Sequence, residues 1–256
     1  MELVCEIGGI GLLGLNVFSL LVFVSINIFA SLLCKRSNES RCRILRVVCI
    51  ALLSFNVFRY ARALICGMGF IFPVEFSSVA YFVVPVILLT GIRKAQSWAA
   101  YSGIMAGFFY YMTLILAGGR VYAAYMPNDI HISLYCHGTL YLCGLVSLKT
   151  NRYEHSDRFA MFCGNVLVAV NAWLLRPIAE GKARIFIYEL MDGLFVRQLF
   201  PNAAGGALMT LYYFLMIGCL LLSIKLFFVL NKMQYERHIR AGRDSSPVFS
   251  AVKTLT

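Results

Sequence analysis

Seven long apolar stretches set the terms on which this chain can fold. They lie at residues 7–34, 44–71, 76–92, 97–117, 130–148, 158–177 and 204–230. A helix needs about 20 mostly apolar residues to cross the hydrocarbon core of a bilayer. Composition agrees, with 60% of the 256 residues hydrophobic and only 14% charged, against roughly 25% charged in a soluble domain. A water-soluble fold of this size would carry large exposed apolar patches. A soluble enzyme, a disordered chain and a disulfide scaffold are therefore excluded. The expected fold class is all-α: a polytopic membrane protein built as a seven-transmembrane-helix bundle. Residues 1–232 would form the bundle, with an external loop at about 178–203, and residues 233–256 a basic cytoplasmic tail.

Charge distribution gives the orientation. Cytoplasmic loops collect Lys and Arg. The first, third and fifth loops and the tail hold fourteen cations, from Lys35 and Arg36 to Arg243 and Lys253. The opposite side holds five: Arg120, Arg176, Lys182, Arg184 and Arg197. This asymmetry predicts the N-terminus outside, the C-terminus in the cytoplasm, and a multi-pass protein of the cell membrane. It also explains the net charge of +11 without nucleic acid. The leading Met1–Glu6 segment is acidic where a secretory signal is basic, so the first stretch is expected to stay as a helix. Nine cysteines include no Cys-x-x-Cys pair, and most sit in apolar runs as small hydrophobes. The long loop carries Glu180, Glu189 and Asp192, and its Ile185–Leu190 segment alternates in polarity. A structured external lid or re-entrant segment is expected there.

A charge inside a span is costly and marks a functional candidate. Arg46 and Lys225 lie close enough to cytoplasmic ends to snorkel. Arg59 and Arg62 lie in the outer half of the second stretch, on one helical face. Glu75, at the start of the third, is the nearest candidate counter-charge. His137 falls about 10 Å below the outer boundary of the fifth stretch, and Asn171 at a similar depth in the sixth. Ser77 and Ser78 open the third stretch, and Tyr110, Tyr111 and Thr113 close the fourth. Five helices thus bring polar groups to one depth. Such groups can glue helices together or form a site. As a site, Ser77 or Ser78 would be the nucleophile and His137 its base. Glu75 would orient the imidazole, and Arg59 or Arg62 would bind a phosphate or oxyanion. Ser78, Asn171 and the two arginines are the candidate substrate-binding residues. No metal-ligand cluster, Gly-x-Ser-x-Gly, His-Glu-x-x-His or phosphate loop occurs, and no cofactor is expected.

Several short motifs between Pro73 and Asn171 share a pattern. They are Pro73-Val-Glu-Phe-Ser-Ser-Val-Ala-Tyr-Phe82 with Pro85, then Trp98–Gly107, then Cys136-His137-Gly138, then Asn171 before Leu174-Leu175-Arg176. This stretch resembles the YwaF-type bacterial integral membrane proteins and their eukaryotic relatives, transmembrane phospholipid acyltransferases. The resemblance implies acyl transfer between lipids, with His137 in the place of the family histidine. Ser77 stands where the family has its cysteine, and Glu75 where it has a histidine. A serine needs stronger activation than a thiol, so both departures bear on catalysis.

Two functions follow. One is a lipid-acting acyltransferase or hydrolase with its site in the outer half of the bundle. The alternative is a transporter or binding protein for lipids or small molecules, without catalysis. A seven-helix receptor lacks support, since no Asp-Arg-Tyr follows the third stretch and no Asn-Pro-x-x-Tyr ends the last. Membrane lipids are the expected partners, nucleic acid is not, and a homo-oligomer is left open.

Overall fold

The computed structural model describes residues 12–67, 72–125, 130–179, 185–200 and 206–242. The acidic leader, the loop residues Glu180, Lys182 and Arg184, and the tail beyond residue 242 lie outside the described residues. The order is α1 (Leu12–Leu33), α2 (Asn38–Ile65), α3 (Phe76–Thr90), α4 (Arg93–Tyr125), α5 (Ile130–Thr150), α6 (Asp157–Ala179), α7 (Phe186–Met191), α8 (Leu194–Leu199) and α9 (Gly206–Arg240). No strand occurs among the described residues. Five helices are long and apolar enough to cross a membrane: α1, α2, α4 up to Gly118, α6 and α9. The outward faces are apolar as well, with Leu21, Phe58, Leu167, Trp173 and Phe214 all more than half exposed. Water would not tolerate such a surface, whereas lipid does.

The two remaining long helices depart from the expected pattern for physical reasons. At 15 residues α3 rises only about 22 Å, short of the roughly 30 Å hydrocarbon core. It starts at Glu75 and stops at Gly91, whose φ of 69° is the left-handed turn a glycine tolerates. In α5, 17 of 21 residues are buried. Protein surrounds it, so it can carry Ser133, His137, Thr139, Ser147 and Thr150 and be less apolar than a lipid-facing span.

Two seams hold α5 in the centre. Along α2 the buried positions Cys42, Leu45, Cys49, Leu52 and Asn56 recur every three and four residues, an unbroken apolar stripe. They meet α5 antiparallel: the Cys49 and Cys143 sulfurs lie 3.9 Å apart, and Asn56 Nδ2 lies 3.6 Å from the Cys136 sulfur. Along α4 the seam is made of glycines. A methyl group on Gly103 would come within 2.6 Å of the Leu140 carbonyl oxygen, and one on Gly144 within 2.8 Å of the Ile104 nitrogen. Gly107 is closed off likewise by Tyr141. Backbones at such close range gain dispersion contacts that lipid tails cannot match.

Helix ends differ from the apolar stretches in informative ways. Helix α2 begins six residues earlier than its apolar run, because the Ser37 hydroxyl accepts a hydrogen bond from Ser40 N at 3.4 Å. Arg41, expected in the first loop, therefore sits on α2, fully buried, and donates to Asn38 Oδ1 at 3.0 Å. In α4 the helical path breaks at Gly118 (φ 56°), where the Asn16 side chain of α1 fills the space of a Cβ. The C-terminal end of α5 is capped from α9: Asn231 Nδ2 donates to the carbonyls of Leu148 (2.7 Å) and Asn151 (2.8 Å), and its Oδ1 accepts from Tyr153 N.

The glycine seam is testable by adding one methyl group. Gly144→Ala is expected to cost about 1–3 kcal/mol by overpacking, read as a lower melting temperature in detergent. Gly218→Ala in α9, where nothing lies within 4 Å, is expected to be neutral or slightly stabilising. Equal melting shifts for both would remove the close approach of α4 as the reason for these glycines.

Candidate functional site

The next pair in the α4–α5 register after Gly107 is Tyr110 against His137. Their rings stack with centroids 3.9 Å apart and planes 4° apart. The edge of Tyr81 from α3 closes the imidazole at 5.5 Å. His137 Nδ1 lies 3.0 Å from the Ala106 carbonyl oxygen, which can only accept, so Nδ1 carries the proton and donates it. The side chain is 5% exposed. His137 therefore points into the bundle, as its polarity demands, and is packed between two aromatic rings.

The hydroxyls expected beside it are held elsewhere. Ser78 Oγ donates to the Glu75 carbonyl at 2.8 Å. Tyr81 touches both Ser77 and His137: its hydroxyl approaches Ser77, and its ring meets the imidazole edge-on. No hydrogen bond joins Ser77 to His137. Asn171 Nδ2 donates to the Pro73 carbonyl at 3.0 Å and so ties α6 to the segment that leads into α3. The structure thus divides the expected constellation. Glu75, Ser77, Ser78 and Asn171 gather at the start of α3, and His137 stacks on Tyr110.

A lid covers the start of α3. The segment 185–193, which contains α7, lies against α6 and the residues before α3, with Val74, Ala172, Ala179, Ile185 and Tyr188 forming a small core of its own. Glu75 Oε1 accepts from Ile187 N at 3.3 Å. Arg176 grips Asp192 with two bonds of 2.8 Å, and its guanidinium lies over the Tyr188 ring at 5.3 Å. The Tyr188 hydroxyl donates to Ala172 O (3.1 Å), and from α9 Tyr212 and Tyr213 donate to Leu190 O and Met191 O. The sequence pointed to a structured segment here but not to these anchors, whose partners are up to 112 residues apart.

Electrostatics at the lid centre on Glu75. Burial pushes its carboxyl up to about 6, with nearby Glu189 adding to the rise and the Ile187 and Phe186 amides opposing it. The Arg176 hydrogen bonds hold the Asp192 carboxyl below its usual range. Neither Arg59 nor Arg62 is among the groups that act on Glu75. Arg59 lies near Cys136, with its guanidinium 6.0 Å from the Tyr60 ring, and Arg62 is exposed close to the C-terminal end of α2.

Two open cavities, of about 440 and 350 Å3, lie between α1 and α5. Neither is lined by His137, Ser77, Ser78 or Asn171. Among the described residues no cluster of His, Cys, Asp and Glu could hold a metal ion. Three residues that matter here went unread in the sequence: Tyr81, Asn56 and Tyr188. Tyr81 was readable in principle, one turn after Ser77, and Asn56 by the seven-residue spacing Cys42–Cys49–Asn56. No family model, curated protein or solved structure matches this chain.

The lid should respond to pH through Glu75. A carboxyl raised by burial stabilises the closed arrangement most below its ordinary value of 4.5, and that contribution is lost as pH rises through about 6. Hydrogen exchange of residues 186–199, corrected for intrinsic rates, is expected to speed up between pH 5 and 7. Glu75→Gln should hold the slow rate across that range. A pH-independent lid in the wild type would rule out Glu75 as the titrating group.

Proposed function

We propose that this is a seven-span protein of the cell membrane, N-terminus outside and C-terminus in the cytoplasm, that binds membrane lipid without altering it chemically. The single observation that carries the non-catalytic part is the state of His137. Its Nδ1 is committed to Ala106 O, Tyr110 stacks on its ring and Tyr81 meets it edge-on. A general base must reach the proton that it removes, and no hydrogen bond joins His137 to Ser77 or Ser78. The orientation rests on the excess of Lys and Arg in the odd-numbered loops and the tail. In this reading α3 and α5 also span, α3 by virtue of its short flanking segments and α5 within its protein sheath. Membership of the YwaF-type family belongs to the same proposal, with Ser77 and Glu75 as the departures that remove the family's thiol chemistry.

Topology and turnover are tested separately. A reporter fused after Thr256 should be cytoplasmic, and a cysteine introduced near Lys182 should label from outside. Labelling of that cysteine from the cytoplasm would overturn the orientation. Purified protein incubated with defined phospholipids should retain lipid in native mass spectrometry and leave acyl composition unchanged. His137→Ala should lower the melting temperature, because it leaves a cavity and removes a buried hydrogen bond. Acyl exchange by the wild type that His137→Ala abolishes would establish the acyltransferase instead.

A further inference from the structure

Although consecutive, α1 and α2 scarcely touch. Helix α1 packs on α4 and α5, whereas α2 packs on α3 and α5. The two open cavities form one lateral groove along α1 and α5, since they share Phe18, Val22, Ile26 and Leu142. Its outer part reaches His131 and Tyr135 at the start of α5, and its inner part reaches Phe29. From His131 to Leu142 the helix rises about 16 Å, half the roughly 30 Å hydrocarbon thickness. The groove has the depth of one leaflet.

An arginine stands level with the mouth. The antiparallel register that sets Asn56 beside Cys136 and Cys49 beside Cys143 brings Arg62 level with the first turn of α5, where His131 is exposed. Phe55 marks which side of α2 faces the groove, because its ring meets Tyr135 edge-on at 5.4 Å. Arg62 is seven residues on, along the same stripe, and Arg59 lies between. Arg62 forms no ion pair among the described residues. An exposed cation at the interface beside an apolar groove one leaflet deep is complementary to an anionic headgroup on an acyl chain.

We infer that the groove along α1 and α5 binds an anionic phospholipid of the outer leaflet, one acyl chain over Gly138 and Leu142 and the phosphate at Arg62 and His131. This rests on the lipid-binding reading and adds the place and the lipid class. The full chain in detergent, titrated with phosphatidylglycerol or phosphatidylcholine of matched chains, tests it by native mass spectrometry. One phosphatidylglycerol should bind in preference to phosphatidylcholine. Arg62→Glu should weaken phosphatidylglycerol about tenfold and leave phosphatidylcholine unchanged. Val22→Trp, which fills the groove, should weaken both, and Val24→Trp on the exposed face of α1 should weaken neither. Equal binding of the two lipids, or lipid retained unchanged in both Arg62→Glu and Val22→Trp, would overturn the site and leave the lipid-binding reading standing. No lipid on the wild type would overturn that reading itself. A dimer lost on Val22→Trp would give the groove to a second copy of this chain and overturn the lipid.

Discussion

The close approach of α4 and α2 to α5 is the constraint on which the rest of the structure depends. A helix bearing a histidine and several hydroxyls cannot face hydrocarbon, because nothing there accepts or donates a hydrogen bond. It has to be enclosed, and enclosure at short range needs small residues on the facing surfaces. Gly103, Gly107 and Gly144 provide this on the α4 side, and Cys49, Cys136 and Cys143 on the α2 side. Several polar groups on α5 then find partners within the protein: His137 at Ala106 O, Thr150 at Val146 O, and the last carbonyls at Asn231. Central placement, polar satisfaction and glycine content are one arrangement seen from three sides.

That enclosure also decides what the polar groups around His137 and the start of α3 can do. Aromatic side chains fill the room left around His137. The groups at the start of α3 turn instead toward the lid, where Glu75, Asn171, Arg176 and Tyr188 join three helices and a connector. These polar residues thus serve two separate structural tasks. Openness lies to the side, in the groove along α1 and α5. Phe23 stacked on Tyr141 at 5.2 Å, and Asn16 seated at Gly118, fix the neighbours of α1.

The sequence by itself determined that the chain is helical and that several helices are apolar enough to span. Apolar length marks such a helix, and Ser37 and Gly91 set ends by local chemistry. These are properties of each helix alone. Tertiary structure decided the neighbours, because azimuth and lateral order depend on side chains of two helices at once. His137 and Ser77 were expected at similar depth, and only packing could bring Tyr81 against both. The α5 helix was the least conspicuous apolar run and became the centre, since burial by protein relaxes the demand for apolarity that lipid imposes. Glu75 read as a counter-charge for Arg59 or Arg62 and instead holds the lid, because the α7 amides reach it across more than a hundred residues that no local pattern connects.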